Sequence, residues 1–102
     1  MTVDVGRAWF MTHTSGAPDA LRARSERFFD ATTSGPLIER LAGAGRAALA
    51  EAIRDGASRA AALDLLAADA LITLALLCAA EGDPATFGVA AAGLRRQVAM
   101  PA

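Results

Sequence analysis

This chain of 102 residues has no lysine and no tyrosine, and only one cysteine, one histidine and one tryptophan. Each shortage excludes something. All ten basic residues are arginine, they interleave with eleven acids, and the formal charge is −1. That balance leaves no dense basic face for gripping nucleic acid, and no nucleic-acid partner is expected. The lone Cys78 makes no internal disulfide, so the fold stands on packing alone and suits a reducing cytoplasm. Placed within an apolar run, its thiol reads as buried and inert. The lone His13 excludes a metal site built on several imidazoles, and there is no Glu-x-x-His pattern. Every Ser–His–Asp or Cys–His arrangement would need that same histidine. No cofactor and no metal are expected. The N-terminus shows no basic stretch leading into an uninterrupted apolar one, so no secretory leader is expected either.

Alanine is what the chain has instead. It supplies 27 of the 55 residues behind the 54% hydrophobic fraction, against twelve Leu, four Val, four Phe, three Ile and three Met. Alanine is the strongest helix former and lets helix axes approach closely. The expectation is an all-α fold, a compact four-helix bundle with an N-terminal arm, within one domain's length.

The arm is residues 1–17 and the bundle residues 18–102. The arm carries Val3, Val5, Trp9, Phe10 and Met11, too much apolar bulk for a solvated tail, with a short helix expected around Asp4 to Thr12. It is expected to dock on the bundle or on a partner. The first bundle helix starts near Pro18 and Asp19 and runs to about Ala31, with Leu21, Ser25, Phe28, Phe29 and Thr32 facing inward. "TTSGP" separates it from a helix over Leu37 to Asp55, with Ser34 or Gly35 able to cap. There Leu37, Leu41, Gly45, Ala48, Leu49, Ala52 and Ile53 form the dry side, and Glu39, Arg40, Arg46, Glu51 and Arg54 the wet one. Gly43 and Gly45 follow no strand, so they read as packing notches and not as a dinucleotide loop. Gly56 stops this helix and Ser58 caps the next, which runs to Glu81 and Gly82. Asp83 and Pro84 open a last helix to about Ala99, with Phe87, Ala91, Leu94 and Val98 on one stripe.

The third bundle helix contains "LDLLAADALITLALLCAA", Leu63 through Ala80, with only Asp64 and Asp69 charged. Its leucines point in all directions, so it lies in protein or in lipid. Seven Leu and one Ile give roughly −3 to −4 kcal/mol on the insertion scale, and one central Asp returns about 3. The run also falls short of the ~20 residues of a span and lacks an aromatic belt. The reading is a soluble core helix, with no membrane expected. Amphipathic neighbours with narrow faces can hardly cover it, which favours a homodimer with this helix, or its neighbour, near the two-fold axis.

Few residues offer chemistry. Asp64 and Asp69 read as buried carboxylates, each needing an arginine, a cap or a neighbouring hydroxyl such as Thr73. The arginine-rich "RARSER" reads as a solvated face. No catalytic residue is assigned; Arg7 and His13 are the candidates that exist. In "RAWFMTH" five residues separate them, which resembles the Arg–His signature of HEPN-type helical ribonucleases. The resemblance covers seven residues and implies RNA cleavage in a dimer cleft. The sequence departs from that family's pattern in its N-terminal position and in Ala8, where a polar residue usually follows the arginine. The function expected from the whole chain is a small helical interaction or accessory protein, dimeric and binding a protein partner, with Trp9, Phe10 and Met11 as contact residues. A small bundle holding an apolar ligand is a further alternative.

Overall fold

The structure is a computed structural model, and it describes residues 4–82 together with Arg95 and Arg96. Four helices follow one another: α1 (Val5–His13), α2 (Asp19–Asp30), α3 (Leu37–Asp55) and α4 (Arg59–Glu81). The described residues contain no strand. The fold is all-α, and α1 is the helix expected within the arm. The helix expected between Pro84 and Ala99 lies outside the described residues, apart from helical Arg95 and Arg96.

Local chemistry sets the boundaries. The Asp4 carboxylate caps α1 by accepting the Arg7 N–H at 2.9 Å. Thr14 ends that helix, its hydroxyl donating to the Phe10 carbonyl at 2.9 Å. Pro18 and Pro36 immediately precede α2 and α3 in extended conformation, where the ring's fixed φ suits a helix entrance. Gly35 holds a φ of +96° in the turn before α3, a conformation open to glycine at little cost. Gly56, at φ +65°, stops α3, and Ser58 then caps α4 by accepting the Ala61 N–H at 3.0 Å.

α3 and α4 form a hairpin joined by a three-residue connection, and their seam is made of small residues. Ala44, Gly45 and Ala48 of α3 face Ala67, Ala68, Leu71 and Ala75 of α4, all buried. α2 packs across both with Phe28 and Phe29. α1 makes no such close backbone crossing and is held by long side chains. Phe10 is completely buried against Phe29, and the burial of one such ring contributes roughly 1.5–3 kcal/mol. Arg40, expected on the wet side of α3, instead reaches back: its side chain is 10% exposed, bonded to Asp4, and stands over Phe29. Ile53, expected on the dry side, is 72% exposed, because the buried row on α3 runs through Ala44, Ala48 and Ala52, about 100° around the helix from it.

Candidate functional site

Arg7 and His13 share α1 but not a face. Six residues turn an α-helix by about 600°, which leaves the two side chains about 120° apart. Arg7 points at α2, where it bonds Asp30 at 3.0 Å and also reaches Glu26. The hydrogen bond that it donates to Asp30, with the charges of Asp30 and Glu26, holds the guanidinium more firmly protonated than usual. His13 lies against the other end of the molecule. Its ring stacks on Trp9 with centroids 3.8 Å apart, and Nε2 stands 3.6 Å from Glu81 at the end of α4. Nδ1 lies 2.8 Å from the Trp9 carbonyl oxygen. Nuclease chemistry needs both groups on one phosphate, and here each turns to a different neighbour.

The arm residues expected to meet a partner are engaged within the chain. Phe10 has no exposed surface at all, so it offers nothing to an outside contact. Trp9 and Met11 are half-buried against the same core, and the Trp9 indole N–H donates to Glu81 at 3.1 Å. The physical reason is the flat apolar face of Phe29 on α2, which the Phe10 ring from α1 covers.

The two acids of α4 part company. Asp64 is buried as expected, and its Oδ1 accepts from Arg24 at 2.9 Å. Its Oδ2 has no hydrogen-bond donor among the described residues. Across the turn Asp55 is pushed above the ordinary carboxylate range, first by crowding from protein atoms, then by its contact with Asp64 and the charge of Glu51. Asp69, expected to be buried, is exposed. Five residues separate it from Asp64, a rotation of about 140° that carries it off the α3 seam and into solvent. Among the described residues it pairs with no arginine. Cys78 is half-buried, and burial raises its thiol pKa, with Glu81 adding to the shift. That is the opposite of an activated nucleophile.

Among the described residues, large apolar side chains are left exposed on the outer side of α4. Leu65 is 54% exposed, Leu66 56% and Leu77 40%. Asp69, Thr73, Ala62 and Ala80 are exposed between them. By length and composition α4 is apolar enough to cross a membrane, yet its inner side is buried on α3 and only about a third of its most apolar window is enclosed. The expected soluble core helix is thus core on one side only: the other is open, and the neighbouring helices do not cover it, as their narrow faces implied. The surface continues to Ile53 and an open groove of about 450 Å³ at the α3–α4 turn, lined by Leu49, Ile53, Ala61, Ala62 and Leu65 among others. The sequence signal was present. Alanines mark the side of α4 that packs closely, and leucines mark the side left over.

Among the described residues no three His, Cys, Asp or Glu side chains gather as metal ligands would. The chain matches no protein-family model, no curated protein and no solved structure.

Proposed function

We propose that this chain is a small helical interaction protein of the cytoplasm that acts as a homodimer and serves a protein partner, with the outer face of α4 as its contact surface. One observation carries the reading: Leu65, Leu66 and Leu77 are exposed along α4, whose opposite side is already packed. Monomeric soluble proteins seldom leave large apolar patches uncovered. Three further features support it. Asp69, in the middle of the face, disfavours lipid as the covering medium. The charge balance disfavours nucleic acid. The groove at the α3–α4 turn is open and shares Leu65 with the face, so it reads as the end of the same surface.

Sedimentation tests this directly. At micromolar concentration the parent should run at about twice its 10.4 kDa chain mass. Leu66→Glu should reduce it to a folded monomer, because a charge then lies where the second copy would sit. A parent chain that stays monomeric throughout overturns the reading.

A further inference from the structure

Asp64 presents a buried oxygen with nothing to accept. The residue has no exposed surface; Arg24 donates to Oδ1 at 2.9 Å, while Oδ2 has no donor among the described residues. A carboxylate oxygen enclosed by protein is costly without a hydrogen bond. The side chain in contact with it is another acid, Asp55, the exposed last residue of α3. Two carboxylates side by side resist ionising together, and one proton between them supplies the missing donor.

We infer that a proton held on Asp55 closes the α3–α4 hairpin: the Asp55 O–H donates to Asp64 Oδ2, and the bond opens when that proton leaves to solvent. The position gives the bond its weight. α3 and α4 meet along a seam of small residues, and among the described residues no other side-chain hydrogen bond joins them. In the connection, the N–H groups of Gly56, Ala57 and Ser58 make no backbone bond. The surrounding charges decide which acid keeps the proton. From α2, Arg24 sits on Asp64 and favours its charge, and Arg24 and Arg27 both act on Glu51. On α3, Glu51 lies one turn before Asp55 and adds negative charge beside it, while Arg54, bonded to Glu51, offsets part of that. α4 contributes Asp64 itself. Crowding and the two neighbouring acids raise Asp55 above its unfolded value. The clasp is therefore complete in acid and is lost as pH rises through the raised value. The groove at the turn is lined by Gly56, Ala57 and Ser58, so the same proton governs how firmly its wall is held. None of this depends on self-association.

Carbon-13 NMR of the aspartate carboxyls in the full chain reads the pair directly. Asp55 should titrate above the ordinary value of about 3.9, and Asp64→Asn should remove that elevation. An elevation that survives Asp64→Asn would come from crowding alone and overturns the clasp. Should Asp64→Asn fail to fold, variants at the exposed position 55 decide the matter. Asp55→Asn carries a permanent N–H in place of the proton, and Asp55→Ala carries none. Hydrogen exchange of Ile53, Arg54 and Asp55 amides, in the last turn of α3, should be followed after correction for intrinsic rates. In the parent it should quicken severalfold as pH rises through the Asp55 transition. Asp55→Asn should stay slow throughout, and an amide at position 55 Asp55→Ala should be fast throughout. Corrected rates that show no pH dependence in the parent, or the same dependence in all three chains, overturn the inference.

Discussion

Phe10 of α1 lies flat against Phe29 of α2, with ring centroids 4.4 Å apart and planes 3° from parallel. The Arg40 guanidinium stands 4.3 Å from the same Phe29 ring, so α1, α2 and α3 meet around one aromatic side chain. Phe10→Ala should cost about 3–5 kcal/mol in urea denaturation. The loss should be the same at every protein concentration, because the stack is internal to the chain. A loss that grows on dilution would mean that the arm clasps a second copy.

Two glycines of α3, Gly43 and Gly45, should respond to alanine with opposite signs. A Cβ at Gly45 would stand 2.8 Å from Ile72 Cγ1, a branched atom close to the α4 backbone with little room to yield. Overpacking of this kind costs about 1–3 kcal/mol and should outweigh the gain in helix propensity. At Gly43 the nearest atom is Thr32 Cγ2 at 3.9 Å, an ordinary contact. Gly43→Ala should therefore stabilise, by up to about 1 kcal/mol. Thermal melts of both variants check this, and Ile72→Ala in the Gly45→Ala background should restore most of the loss.

Arg24 and Asp64 form an ion pair whose acid is wholly buried. Removing the arginine strands a charge in the interior, so Arg24→Ala should destabilise by about 3–5 kcal/mol. Replacing both, Arg24→Met with Asp64→Leu, should recover most of it, since apolar packing often equals a buried pair. A double-mutant cycle with no coupling would contradict the assignment.

The pH dependence of stability should contain two opposed contributions. Asp4 and Glu51 are held below the ordinary carboxylate range, Asp4 first by its hydrogen bond from Arg40 and Glu51 first by its bond from Arg54. Their contribution is present above the unfolded pKa and disappears as pH falls through the lowered folded value. Asp55 is raised, so its contribution is complete in acid and is lost as pH rises through the folded value. Asp55→Asn should thus raise the Tm near neutral pH and lose that advantage in acid. Asp4→Asn should lower the neutral Tm and have no effect in strong acid. Scans of both variants across about pH 3–7 separate the two signs.

Boundaries were the most legible part of this chain, because prolines, glycines and short polar caps act locally. Pro18, Pro36, Gly56, Ser58 and Gly82 all stand at or within a residue of the helix ends. The pattern of inside and outside was legible on α2 but less so on α3 and α4. Ile53 and Arg40 exchanged their expected environments, since the close α3–α4 seam uses only the alanine row of α3 while the long Arg40 side chain reaches back over Phe29 to Asp4. On α4 every direction is apolar, so periodicity carries no signal and only residue size distinguishes the seam from the open face. The candidate site was obscured for the same reason. Asp69 in an apolar run reads as buried from sequence, and only the placement of α3 shows otherwise. The aromatic arm drew attention for its bulk, although bulk serves an intramolecular core equally well.

The bond from Trp9 to Glu81 joins residues 72 positions apart, while the α3–α4 hairpin joins neighbours across a three-residue turn. Loop closure makes the distant contact the slower one to form. The order of assembly follows. The hairpin zips early, and the bond from Trp9 to Glu81 closes last, across the end of α4. During synthesis the Trp9 indole therefore has no Glu81 acceptor until the end of α4 has emerged, although Phe10 can already stack on Phe29. Tryptophan fluorescence, which reports only Trp9, should accordingly lag behind the recovery of helicity in a refolding experiment.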